Sequence, residues 1–193
     1  HMLMTGNAVW GQVSANFADN FYNNVASNGV AGRYPYMWVN WPCNDNYKTG
    51  LIMGGHNTIL HTGIDGHKYE GIILNPMQHS EPSKVAIFTA ADYCWKPWDA
   101  KEEGDQAWED SFKYIDHVTA LESDSSKALR EVAKHMIYQG PVQTAGRQAK
   151  FEESVDLKNK LAEIQKKVEA GTVTTAELDD MRNEFKTIYD AAV

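Results

Sequence analysis

The sequence predicts an α/β fold that continues into an all-helical segment, and three observations carry that prediction. Short apolar runs in the first part stop abruptly at polar residues, as strands of a buried parallel sheet do. Helix-period patterns follow those runs, giving strand–loop–helix units. Near residue 115 the composition shifts from aromatics, Gly and Asn to Ala, Glu, Lys and Leu, which places the division at 1–117 and 118–193.

In chain order, Leu3-Met4-Thr5-Gly6 resembles the end of a strand. Pro35 to Val39 and Tyr69 to Leu74 are two further strands, closed by Asn40 and Asn75. Ser80 is a candidate N-cap and Pro82 an early-turn proline for a helix whose apolar face is Val85, Ile87, Phe88, Ala91 and Trp95. A second helix spans Asp105 to Tyr114, with Trp108, Phe112 and Ile115 at helical spacing. Ser126 to Tyr138 places Leu129, Val132, Ala133 and Met136 on one face. Glu153 to Ala170 carries Val155, Leu157, Leu161, Ile164 and Val168, and stops at Gly171. Thr174 or Thr175 then caps a last helix striped by Leu178, Met181, Phe185, Ile188 and Tyr189. These two stripes fit an antiparallel hairpin with a structural role.

Composition narrows the partners. The 193 residues allow one domain or one domain with a helical appendage, and 42% hydrophobic residues suffice for a core. A net charge of −8 and a pI near 5.3 argue against nucleic acid or an anionic membrane surface. No apolar run is long enough to span a bilayer. Cys43 and Cys94 lie far apart without CxxC spacing, which fits neither a disulfide scaffold nor a zinc site. His1-Met2 reads as a cloning remnant, so the start of the chain says nothing about an export signal.

The chemistry-bearing residues gather after the strands. In parallel α/β architectures ligands sit at the carboxyl ends of strands. Asn40 and Asp45 follow one strand and Asn75 another, while Trp38 lies near the end of the first. A carboxylate accepts from two hydroxyls, an amide both donates and accepts, and an indole face packs on the apolar side of a pyranose. Trp38, Asn40, Asp45 and Asn75 therefore make a coherent sugar-binding wall. Spacing alone favours the plainer reading, in which the asparagines only end strands and Asp45 makes an Asx turn before Tyr47. His56, His61 and His67 match no compact metal-ligand spacing and read as a solvated glycine-rich loop. Asp179-Asp180, an adjacent acid pair, lies within an amphipathic helix with its carboxylates about 100° apart, and reads as solvated charge.

The pattern WxNxxxxD, followed downstream by LNPMxHxExSKxAIxxxADYxW, resembles glycoside hydrolase family 84. That family comprises bacterial N-acetyl-β-glucosaminidases, some described as hyaluronidases, and the related O-GlcNAcases. The matching residues are Trp38, Asn40, Asp45, Leu74 to Met77, Glu81, Ser83-Lys84, Ala86-Ile87, Ala91 to Tyr93 and Trp95. Leu3 to Gly6 is similar to the family's MWTG strand end, with Met4 where tryptophan is usual, and Arg147 to Leu157 resembles the entry to its helical domain.

The resemblance implies about the last three βα units of a TIM (β/α)8 barrel, then the start of a helical domain. It implies a retaining mechanism in which the substrate's 2-acetamido oxygen, not an enzyme carboxylate, attacks the anomeric carbon. By the same resemblance Asp45 binds the sugar's 4- and 6-hydroxyls and Asn75 the neighbouring ones. Asn40 supports the catalytic carboxylates, Trp38 lines the acetamido pocket, and Thr5 and Val9 lie near its floor. The family's catalytic aspartate pair belongs to an earlier strand and has no counterpart in these residues. The expectation is thus a fragment that is inactive alone, with a GlcNAc-containing glycan or glycoprotein and the missing N-terminal part of the barrel as its partners. Its open edges favour a homo-oligomer. Neither metal nor cofactor is expected. The resemblance also implies a secreted or cell-surface bacterial protein. The competing readings are a non-catalytic GlcNAc-binding module and an assembly module.

Overall fold

The computed structural model describes residues 3–5, 11, 13–45, 51–54, 59–114, 123–136 and 152–193. Its sheet has three parallel strands in chain order: β1 (Leu3–Met4), β2 (Tyr36–Val39) and β3 (Gly71–Leu74). The register pairs Met4 with Met37, and Tyr36 to Val39 with Gly71 to Leu74. Tyr36 packs so closely on β3 that a Cβ at Gly71 would lie 2.6 Å from its ring, at φ +156°. Glycine is required there.

Alternation sorts β2 cleanly. Met37 and Val39 point into the core, whereas Trp38 is exposed on the other face. The covered face is closed by α1 (Ala15–Ser27) and α2 (Ser80–Trp95). Val13, Phe17, Met37, Val39, Trp41 and Ala86 share one core cluster. Ser14 caps α1 through its side chain, which accepts from the Phe17 N–H at 3.3 Å. Tyr69 fixes the same corner, donating to the Ser14 carbonyl at 2.6 Å and accepting from its N–H at 2.9 Å.

Two features of α2 differ from the sequence expectation. His79, not Ser80, occupies the N-cap position, and its side chain makes no capping bond. Nor is the apolar face wholly the expected one, although Val85 is buried and Phe88 half-buried. The buried residues are Ser83, Val85, Ala86, Thr89, Ala90 and Tyr93, while Ile87, Ala91 and Trp95 are exposed. Ala86, Ala90 and Tyr93 join the core cluster that holds Met37 and Val39 of β2. Within the family-like motif, Asp92 accepts from the Trp98 indole at 2.8 Å and Tyr93 donates to the His61 carbonyl at 2.6 Å.

The next helix, α3 (Lys101–Tyr114), starts four residues before the expected Asp105, and α4 (Asp124–Ala133) starts two before Ser126, with Ser123 as its cap. Tyr138, the expected end of α4, lies outside the described residues, but the helix already ends at Ala133. Trp108 and Phe112 of α3 join Met53, Val85 and Ala133 in a second core, with Leu129 and Met136 packed against it. The Met53 N–H donates to the Met136 carbonyl at 2.6 Å, so α4 is tied to the segment that follows the site loop.

α5 (Glu152–Glu169) and α6 (Thr175–Ala192) form an antiparallel hairpin as expected, but the two apolar stripes are only partly covered: Leu157 and Met181 are buried, whereas Leu161, Val168, Phe185 and Tyr189 are exposed. Cross-helix pairs Lys167–Glu177 and Lys160–Glu184 fix its sense. Gly171 (φ +67°) ends α5, and Thr174 with Glu177 makes a reciprocal capping box on α6. Asp180 pairs with Lys160 at 2.7 Å and Asp179 with Arg182 at 2.8 Å, so this acid pair is ion-paired surface charge. Among the described residues no helix is long and apolar enough to cross a membrane.

Candidate functional site

The register brings the ends of β2 and β3 side by side. Val39 pairs with Leu74, which leaves Asn40 and Asn75 adjacent one step beyond the ladder. The Val39 carbonyl accepts from the Asn75 N–H at 2.9 Å and from the Trp41 N–H at 2.8 Å, so the backbone of both strand ends is fixed. On this frame the Trp38 indole Nε1 donates to Asn40 Oδ1 at 2.8 Å, and Asn75 Nδ2 donates to the same oxygen at 3.0 Å. Three of the residues proposed from the sequence thus form one hydrogen-bonded set at the carboxyl edge of the sheet.

Thr5 stands one residue past β1, half-buried, at the register level of Trp38 and Ile73. Asp45 is exposed beyond β2. It lies beside Cys43, which is buried. Burial pushes the Cys43 thiol up; the Asp45 backbone N–H partly offsets this, and the Asp45 carboxylate reinforces it. Val9 lies outside the described residues, as does Tyr47, the partner of the alternative Asx-turn reading.

Trp41 shows why the two tryptophans of this stretch differ. It continues the inward alternation of Met37 and Val39, is buried, and donates to the Gly54 carbonyl at 2.9 Å. Trp38 is 37% exposed on the open face. Period-two alternation was the sequence signal that separates them.

Cys43 was the contact the sequence reading missed. It is two residues from Asp45, and only its burial shows that it backs the carboxylate.

Neither described histidine of the glycine-rich loop joins the hydrogen-bonded wall. His61 is half-buried rather than solvated, and burial lowers its pKa. His67 is exposed, and His56 lies outside the described residues. Among the described residues no three His, Cys, Asp or Glu side chains come together in a metal-binding group. A cleft of about 480 Å³ opens at the opposite, amino end of β3, between Asp65, His67, Glu70 and Trp95. The tyrosine hydroxyls there, Tyr69 and Tyr93, are already committed to backbone carbonyls. The wall at the carboxyl ends is the better candidate because its polar groups converge.

The fold is similar to that of a mutant of the Thermobaculum terrenum O-GlcNAc hydrolase, with 19% identity and a TM-score of 0.62. The similarity covers 98% of this chain and 36% of that one, so the chain spans about a third of that hydrolase's length. A family model described as beta-N-acetylglucosaminidase matches residues 1–134, more than half of the chain and the whole of the wall described above. The chain belongs to the beta-N-acetylglucosaminidase family.

Proposed function

We propose that these 193 residues form the closing part of a (β/α)8 barrel, with the start of a helical domain, in an enzyme that hydrolyses terminal β-linked N-acetylglucosamine. The observation that carries this reading is the convergence of Trp38, Asn40 and Asn75 at adjacent parallel strand ends in a member of this family. The barrel reading draws support from what is left uncovered. Trp38 and Ile73 are exposed on the sheet face opposite α1 and α2, and Ile87, Ala91 and Trp95 are exposed along α2. In a complete barrel the inner face is filled by side chains and each helix has neighbours on both sides.

In this reading the acetamido carbonyl oxygen attacks the anomeric carbon as the glycosidic oxygen takes a proton and leaves. Water then opens the resulting oxazoline with retention. Asp45 holds the 4- and 6-hydroxyls, Asn75 a neighbouring hydroxyl, and Trp38 the acetamido group; Thr5 and Val9 lie near the pocket floor. Asn40 supports the acid and base groups, which come from outside these residues. A secreted or cell-surface protein acting on glycans or glycoproteins fits this role.

Two measurements test it. A chromogenic aryl N-acetyl-β-glucosaminide should show no turnover by this chain alone, because loss of general acid–base catalysis removes about two to four powers of ten. Titration with N-acetylglucosamine should saturate, and Asp45→Ala, which removes the acceptor of two hydroxyls, should weaken it by about tenfold or more. Turnover by the isolated chain would sink the division of the site. Binding indifferent to Asp45→Ala would sink the sugar wall.

A further inference from the structure

We infer that Asn40 is a positioning residue whose amide oxygen sets the hydrogen-bond polarity of the wall, fixing Trp38 and Asn75 and leaving the Asn75 carbonyl oxygen to face the sugar as an acceptor. The sugar-facing part rests on the function proposed above; the polarity itself follows from the side-chain chemistry.

An indole nitrogen carries one proton and only donates. The Asn40 atom 2.8 Å from Trp38 Nε1 is therefore the amide oxygen, and the orientation of that amide is fixed. The same oxygen meets Asn75 at 3.0 Å. A second oxygen at that distance would set acceptor against acceptor, so Asn75 presents its NH2 and turns its carbonyl oxygen elsewhere. Side-chain amides are ordinarily ambiguous in this respect, yet here one donor-only ring orients two of them in sequence.

Two consequences follow. The ligand group that meets the Asn75 oxygen must carry a proton, as a hydroxyl does and an ether or fluorine does not. The Asn40 nitrogen has only protons to offer, which suits carboxylates and no donor. Backbone bonds from Asn75 and Trp41 to the Val39 carbonyl hold both strand ends in place, so the arrangement does not depend on a mobile loop.

Isosteric variants separate polarity from packing. Asn40→Asp keeps an acceptor for both neighbours; Asn40→Leu keeps the volume and removes it. In the free protein, the Trp38 indole proton, assigned against Trp38→Phe by NMR, should exchange about tenfold faster in Asn40→Leu and within about threefold of wild type in Asn40→Asp. Asn75→Asp should titrate above the ordinary carboxyl range, because its carboxyl must keep a proton to donate to Asn40 Oδ1. Affinity for N-acetylglucosamine should fall about tenfold in Asn40→Leu and be largely rescued in Asn40→Asp. Equal exchange in the two Asn40 variants, or an ordinary titration in Asn75→Asp, overturns the proposal. If the exchange and titration results hold but wild type binds no sugar, the proposed function fails and takes the sugar-facing role of Asn40 with it.

Discussion

Replacing Trp108 with phenylalanine is the sharpest test of how the helical part is joined to the strands that carry the site. Trp108 is 0% exposed, and its Nε1 donates to the Met53 carbonyl at 2.8 Å. It meets Phe112 edge-on, with centroids 4.6 Å apart, and the Arg130 guanidinium lies 5.5 Å from its own ring centre. A two-point ion pair to Glu109, both contacts 2.6 Å, holds that arginine in place. Trp108→Phe leaves the Met53 carbonyl without this donor, at a cost of about 1–3 kcal/mol. Replacing the indole by a smaller ring opens a small void worth about 1 kcal/mol. A weaker cation–π contact adds about 0.5 kcal/mol. The sum is about 3 kcal/mol, a large share of the ~5–15 kcal/mol typical of a domain. With a slope of about 2 kcal/mol/M the urea midpoint should fall by about 1.5 M. Trp95→Phe, at a ring 93% exposed, is the control and should stay within about 0.5 kcal/mol. A loss below about 1 kcal/mol at Trp108, or an equal loss at Trp95, would refute this account of the joint.

Thr174→Ala should cost the hairpin about 1 kcal/mol, read as lost helicity in thermal melts, because it removes the cap of α6. Glu177, in the same capping box, is held down at about 2, first by Lys167 and then by Thr174. Its contribution is therefore complete above the ordinary carboxylate range and lost as pH falls toward 2, and Glu177→Gln should flatten that acid limb. Tyr69 is pushed up to about 12 by burial. Its folded value exceeds its unfolded one, so stability should hold below about pH 10 and decline between about 10 and 12. Absorbance titration of wild type against Tyr69→Phe checks this, and an ordinary tyrosine titration would count against the burial. The exposed Trp38, Ile73, Ile87 and Trp95 should drive self-association. Light scattering should report a dimer or larger species, and a monodisperse monomer would contradict it.

Some of this architecture was legible because local and tertiary preferences agree. The strand ends at Asn40 and Asn75, the stop at Gly171 and the Thr174–Glu177 box each rest on a residue type that its position demands. α1 was missed because Asn16, Asn20, Asn23 and Asn24 dilute its propensity. Its signal was short: the Ser14 cap and the run Phe17, Ala18 and Phe21. The face of α2 is hard to read because Ile87, Ala91 and Trp95, apolar at helical spacing, are exposed, while the polar Ser83 and Thr89 lie on the buried side. For the site, residue types were readable, but adjacency was not. That Asn40 and Asn75 share an oxygen depends on strand register, which no local pattern encodes.

The five described tryptophans sort by how their N–H is used. Trp41, Trp98 and Trp108 are buried, and each donates to a protein oxygen. Trp95 stands almost fully in solvent, where water serves its N–H. Trp38 breaks the pattern: it is exposed, yet donates to Asn40 like a buried ring. An exposed indole gains only about 0.5–1.5 kcal/mol from such a bond, since water supplies an alternative acceptor. A covered indole gains a great deal, since a stranded donor costs about 1–3 kcal/mol. Trp38 is thus arranged for burial from its open side without stranding its proton, which suits the sugar-facing role proposed for it.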